Sequence, residues 1–267
     1  MAKDGTPPRA LITGASAGIG EGFARHLAKS GHDLVLVARR RDRLDALATE
    51  LAREHGIAAE VLAADLARDE GVPLVEERLR AGDIGLLVNN AGFGTIGEFV
   101  ESPIERELEE LDVNVRALMR LSHAALGPMV QRRQGAIINV ASTAAFQPIP
   151  YNATYAATKA FVLHFTEALH EEARHHGVTV TCLCPGPVKT EFQPVAGIDP
   201  ASLPSFTWMS VDSVVQSALS AVRWRRAVAI PGVLNRMTAT TGRMAPRFLV
   251  RRVAGNMFRN RTRTTPQ

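Results

Sequence analysis

The chain has 267 residues, 46% hydrophobic and 22% charged, enough to bury the core of one large α/β domain or two small ones. Its net charge of +4 is concentrated at one end: seven arginines and no acid lie between Arg243 and the last residue. That leaves the remainder net acidic and argues for a basic tail, not a nucleic-acid-binding domain. No apolar run reaches the roughly 18 residues needed to cross a bilayer, and the opening MAKDGTPPRA lacks the apolar core of a secretory signal, so a cytoplasmic protein is expected.

Short β-branched or leucine-rich runs recur at residues 10–13, 33–38, 58–63, 84–89, 136–141, 178–184 and 228–230, most of them separated by helix-length amphipathic segments. This alternation predicts an α/β fold, a doubly wound parallel sheet of about seven strands with helices on both faces. No Pro/Gly/Ser linker interrupts it. One domain is expected over residues 1–232, followed by a basic helix or tail over 233–267.

The first run leads straight into TGASAGIG, residues 13–20, and then into a helical pattern. Gly14, Gly18 and Gly20, with Ser16, Ala17 and Ile19 between them, permit a tight turn. There a pyrophosphate could approach the backbone and meet the free N–H groups of the helix. A purely structural turn would use the same glycines. At the end of the second run stands Ala38, where an acid would hold the ribose hydroxyls of NAD, and Arg39, Arg40 and Arg41 follow. Arginines there suit a 2′-phosphate, although a solvated charge cluster opening the next helix has the same appearance. Asp65, with Leu66 beside it, follows the third run, where a short acid could accept from an adenine amino group. NNAG, Asn89 to Gly92, closes the fourth. Its asparagines could tie neighbouring strands, while Asn90, Ala91 and Gly92 leave room for a cofactor.

The fifth run, AIINVAS, ends at Ser142, and YNATYAATK opens the next helical segment with the chain's two tyrosines. Residues four apart on a helix have Cβ atoms roughly 5–6 Å apart, so Tyr155 and Lys159 share a face, whereas Tyr151 precedes the helix and has no such partner. A phenol with a pKa of about 10 must come down roughly 2–3 units to exchange protons near neutrality. One ammonium about 5 Å away at an effective dielectric near 20 supplies about 3 kcal/mol, which matches that need. Cys182 and Cys184 lie two apart on one strand and read as small buried hydrophobes, so neither a disulfide nor a metal site is expected.

TGASAGIG, NNAG, Asn114 in LDVNV, Ser142, YAATK and PGPVKT, in this order and approximate spacing, resemble the short-chain dehydrogenase/reductase family over roughly residues 9–232. The resemblance implies a single Rossmann-type domain and NAD(P)-dependent oxidoreduction by a tetrad of Asn114, Ser142, Tyr155 and Lys159. Tyr155 would act as acid or base, Lys159 would also hold the nicotinamide ribose, and Asn114 would anchor a relay water. It places Pro185, Gly186, Val188 and Thr190 against the cofactor, with Thr190 helping to hold the nicotinamide amide. It further implies a homodimer or homotetramer formed through long central helices at about 104–130 and 152–176.

With the arginines after the second strand, the expected cofactor is NADP(H). The expected activity is reduction of a hydrophobic ketone, a 3-oxoacyl chain or a steroid-like carbonyl. Phe93, Phe146, Phe192, Phe206 and Trp208 are the candidate substrate-pocket residues, the last three within or beside an apolar, Pro- and Gly-rich segment at 190–209 that could close as a lid. An NAD-dependent alcohol dehydrogenase and a catalytically silent NADP(H) sensor are the competing readings. In the tail, Phe248, Leu249, Val253 and Met257 recur at helical spacing among arginines. Such a helix suits an anionic membrane or a partner subunit, and subunit packing is favoured because Pro246 and Gly255 should shorten it.

Overall fold

Strands buried on both faces have no polar side to alternate with, and the near-continuous apolar runs of this chain form one parallel sheet for that reason. In the computed structural model, which describes residues 8–191, 207–244 and 246–262, the strands are β1 (Arg9–Thr13), β2 (Leu34–Ala38), β3 (Ala59–Ala63), β4 (Ile84–Asn89), β5 (Gly135–Val140), β6 (Val178–Leu183) and β7 (Val228–Ala229). They pair in parallel in the order β3-β2-β1-β4-β5-β6-β7. The apolar runs locate every strand to within a residue at each end.

The helices are α1 (Gly18–Lys29), α2 (Arg41–His55), α3 (Gly71–Arg80), α4 (Ile104–Leu111), α5 (Leu118–Gln131), α6 (Ala153–Arg174), α7 (Val211–Arg223), α8 (Val233–Met244) and α9 (Arg247–Thr262). Successive strand residues point to opposite faces. Ala10, Ile12, Leu34 and Leu36 therefore pack with Phe23 of α1, Leu44 of α2 and Val214 of α7, while Leu11, Val35 and Val37 pack with Leu79 of α3 and with Leu121 and Met129 of α5. After β1 the chain moves outward through β2 and β3 and then crosses to β4 on the other side of β1. The loops after β1 and β4 consequently diverge and open a crevice at their C-terminal ends.

Two departures from the sequence expectation bear on function. The helix expected over 104–130 is interrupted by a π-helical turn at Asp112–Ala117, which contains Asn114; such turns cluster at functional sites. In the C-terminal region Gly255 does not end the last helix, which begins directly after Pro246 and runs through to Thr262. Nor does α8 trail away from the body: Asn235 Nδ2 donates to the Pro231 carbonyl at 2.9 Å and to Met209 Sδ at 3.1 Å, and Ala239 is buried. Phe248, Leu249 and Val253 of α9 remain exposed. Among the described residues no helix is long and apolar enough to cross a membrane.

Candidate active site

The crevice is built around glycines. Gly14 and Gly18 adopt left-handed φ angles of 66° and 58°, and a Cβ on Gly18 would lie 3.0 Å from the Thr190 side chain. A Cβ on Gly20 would run into the Gly14 carbonyl. These positions keep the β1–α1 turn flush against its surroundings. No side chain caps the first turn of α1, whose N-cap position is Ala17, so its free N–H groups face the crevice as an anion site would require. Asn90 ties the two crevice walls together, donating to the carbonyls of Thr13 at 2.9 Å and Gly14 at 3.3 Å. The Thr13 hydroxyl accepts from the N–H groups of Asn90 and Ala91, both at 3.0 Å.

At the end of β2, Arg40 donates to the Ser16 hydroxyl at 3.1 Å and pairs with Glu191 at 2.9 Å. Arg43 takes the other Glu191 oxygen at 2.6 Å, and the two guanidiniums hold that carboxyl below its usual range. Arg39 is exposed and makes no ion pair among the described residues. Asp65 Oδ1 accepts from the Ala67 N–H at 3.1 Å, so this acid shapes its own turn, and Leu66 is buried beside it. A glycine cradle, an uncapped helix N-terminus and flanking arginines together fit the phosphates of a nicotinamide dinucleotide.

At the neighbouring strand ends the proposed reactive side chains converge. Ser142 caps the short 3-10 turn Thr143–Phe146 through its hydroxyl, which accepts from the Ala144 N–H at 3.1 Å. It also hydrogen-bonds the phenol of Tyr155. Tyr155 and Lys159 lie on α6, one turn apart; Tyr151 lies outside the helix with a φ of 66°. Lys159 is buried, donates to the Val140 carbonyl at 3.0 Å and stands 5.5 Å from the centre of the Tyr155 ring. Asn114 is 1% exposed, and its side chain is spent on protein groups. It accepts from the Phe93 N–H at 3.1 Å, donates to the Phe93 carbonyl at 2.8 Å and donates to the Thr158 hydroxyl at 3.1 Å.

The simple picture of a lysine charge lowering a tyrosine pKa also needs correction. Burial pushes the phenol up to about 12 despite its hydrogen bond from Ser142, and burial pushes the Lys159 ammonium down to about 8. The attraction reckoned at an effective dielectric near 20 leaves out the desolvation of both groups.

Pro185 accepts from the Thr143 N–H at 2.9 Å, Gly186 lies against the Asn235 amide, and Val188 pairs with Met209. Of the expected pocket residues, Phe93 lies beneath the Arg106 guanidinium, 4.0 Å from its ring centre. Phe146 is partly buried and packs against the core cluster that contains Val162, Leu163 and Cys182. Trp208 is half-buried beside Met209, whereas Phe192 and Phe206 lie outside the described residues. A cavity of about 500 Å³ opens elsewhere, lined by Glu98, Phe99, Val100, Pro150, Tyr151 and residues of α9; none of the tetrad lines it.

Asn89 ties strands as its sequence suggested, and sequence reasoning missed several further groups that hold this arrangement. Asn89 donates to Asn139 at 2.9 Å and Ser122 at 3.1 Å, and Asn139 donates to Thr166 of α6 at 3.0 Å. Asn152, just before α6, donates to the Thr95 carbonyl. Glu107 and Glu110 of α4 are buried around the Thr95 side chain. The only signal for Glu110 was its place one helical turn before Asn114.

Fold and crevice define a nucleotide-dependent oxidoreductase, and the comparisons agree. A family model described as short chain dehydrogenase matches residues 8–199; this chain belongs to that family, whose members bind NAD(P)H. A short-chain dehydrogenase from Sphingobium yanoikuyae in complex with NADPH is 43% identical, with a TM-score of 0.82 over 88% of this chain and 93% of the other. The bulky-bulky ketone specific alcohol dehydrogenase from Comamonas testosteroni is 33% identical, with a TM-score of 0.78 over 90% of this chain and 96% of the other. A very-long-chain 3-oxoacyl-CoA reductase of Anas platyrhynchos is 31% identical over 221 residues, 80% of this chain and 68% of that protein.

Proposed function

We propose that this protein is an NADPH-dependent reductase that converts the carbonyl of a hydrophobic ketone or 3-oxoacyl-type substrate to an alcohol, with Tyr155 as the acid. The observation that carries the reading is the convergence of Ser142, Tyr155 and Lys159 at the strand ends beside the glycine cradle. A proton donor must carry its proton when the substrate arrives. Support for the substrate class comes from the ketone-specific and 3-oxoacyl relatives, and for the phosphorylated cofactor from the arginines after β2 and the NADPH-bound relative.

The crevice residues around Gly14, Gly18 and Gly20 would hold a reduced nicotinamide cofactor, which would supply hydride to the carbonyl carbon. As the carbon–oxygen double bond becomes single, Tyr155 gives its phenolic proton to the oxygen. Ser142 donates a hydrogen bond to the same atom, stabilising charge as it develops. The Lys159 ammonium stabilises the phenolate left on Tyr155 and, beside Gly92, is placed to hold the ribose. Asn114 fixes the backbone of Phe93 that forms the facing wall. The same reading includes a homodimer or homotetramer, supported by Ile104, Leu108, Met119 and Phe161, which stand exposed on the central helices.

Oxidation of NADPH and NADH by the purified protein against aliphatic, aromatic and 3-oxo carbonyl compounds tests the proposal. Turnover is expected with NADPH and is expected to vanish in Tyr155→Phe while NADPH still binds. Turnover that survives in Tyr155→Phe would exclude this mechanism, and tight NADPH binding without turnover on any compound would favour a sensor.

A further inference from the structure

Helix α4 turns two glutamates inward. Glu107 is 5% exposed and Glu110 is fully buried, although carboxylates are rarely buried without a cationic partner. Glu107 accepts from the hydroxyls of Ser102 and Thr95. Glu110 Oε2 accepts from the Thr95 N–H and hydroxyl, both at 3.0 Å, while its Oε1 has no hydrogen-bond partner among the described residues. The single Thr95 hydroxyl proton therefore stands between two carboxyls, 2.9 Å from one and 3.0 Å from the other, and satisfies only one at a time.

Thr95 ends a segment whose residues each touch the site. A Cβ on Gly92 would lie 3.4 Å from Lys159 Nζ, Phe93 is held by Asn114, and a Cβ on Gly94 would lie 2.8 Å from the Tyr155 ring. Glu110 and Asn114, one turn apart, hold this segment from one side while Tyr155 and Lys159 line the other. The titratable groups that face Glu110 are Glu107 on its own helix and Lys159 and Tyr155 on α6. Burial pushes the Glu110 carboxyl up to about 7, with the Glu107 charge adding and the Thr95 hydrogen bonds opposing. Once ionised, Glu110 favours the charged lysine and disfavours the phenolate.

We propose that Glu110 is a positioning residue for the Tyr155–Lys159 pair. Through Thr95 it holds the backbone wall against which the phenol packs, and its buried carboxyl, by ionising, decides how readily that phenol gives up its proton. Glu110 has this role only if Tyr155 and Lys159 are the proton-handling pair, as the reductase reading has them. Its charge, however, can be read in the unliganded protein without any turnover.

The chain has two tyrosines, so Tyr151→Phe leaves Tyr155 as the sole reporter in protein labelled with ¹³Cζ-tyrosine. Followed by NMR from about pH 5 to about pH 9, the Tyr155 resonance is expected to inflect near neutrality as the neighbouring carboxyl ionises. Adding Glu110→Gln removes that inflection and leaves any step set by Lys159, and Glu110→Asp restores it at a shifted midpoint. No neutral inflection in the Tyr151→Phe protein, or one unchanged by Glu110→Gln, overturns the proposal. Should Glu110→Gln fail to fold, Lys159→Met in the Tyr151→Phe background decides: an inflection that survives belongs to Glu110, and one that disappears belongs to the lysine and sinks the idea. Failure of the reductase reading has a different signature, absence of turnover with this titration intact.

Discussion

The Asn114 carboxamide closes on both main-chain groups of Phe93, accepting from its N–H at 3.1 Å and donating to its carbonyl at 2.8 Å. A strand-like pairing is thus made by a side chain, and it fixes the wall opposite the phenol. Asn114→Asp keeps the acceptor and loses both donors, and it buries a charge beside a carbonyl. Urea denaturation is expected to show a loss of about 1–3 kcal/mol, with turnover falling in parallel. Unchanged stability would mean that the segment holds its place without Asn114.

Gly94 has no Cβ where one would lie 2.8 Å from Tyr155 Cδ2. Gly94→Ala should push the ring off its line of proton transfer, and a displacement on the order of 1 Å can cost about 100-fold in rate. The expected signature is a low kcat with cofactor affinity retained, measured by steady-state kinetics and fluorescence titration. Loss of cofactor binding as well would point to a wider rearrangement.

Lys159 predicts a pH-dependent trade between stability and activity. Its folded pKa, about 8, lies below its ordinary value of 10.5. As pH falls from the ordinary value to the folded one, the unfolded chain takes up the proton first, so folding loses stability over that window. Below it the full cost persists. Lys159→Met should therefore abolish turnover while raising apoprotein stability near neutrality by about 2–3 kcal/mol, less about 1 kcal/mol for the orphaned Val140 carbonyl. The difference should shrink as pH rises toward the ordinary lysine value. A gap independent of pH would show that Lys159 is not desolvated in solution.

Arg39 and Arg40 differ in their freedom to meet a phosphate. Arg40 is shared between Ser16 and Glu191, whereas Arg39 is exposed without an ion pair among the described residues. Arg39→Asp is expected to cut the preference for NADPH over NADH by at least about tenfold, the scale of one charge-assisted contact. Fluorescence titration with both cofactors reads it directly. An unaltered ratio would assign the phosphate to Arg40 or Arg41.

Much of this architecture was legible in the residues. The apolar runs were bounded by turn-forming residues, so each strand could be placed, and the Tyr155–Lys159 spacing on a helix implied a shared face. Asn89 and Asn90 were read as ties between strands, and they join β4 to β5 and to β1. The π turn was not legible, because it alters the hydrogen-bond ladder without altering the apolar period around Asn114. Glu107 and Glu110 were hidden for a different reason. In IERELEEL acids outnumber apolar residues, and nothing local distinguishes a glutamate that faces Thr95 from one that faces water. The elevated phenol pKa was also out of reach, since desolvation belongs to the packed state and not to the spacing of two residues.

The stripe that carries Glu107, Glu110 and Asn114 continues along the same rod into Leu118, Leu121 and Met129, all buried. Chemistry and core therefore share one mechanical member. A cavity opened beneath Met129 is expected to show in turnover as well as in the melting temperature. On the buried face of α2, where Leu44, Leu47 and Leu51 pack on the sheet and none of the tetrad resides, a substitution is expected to cost stability alone.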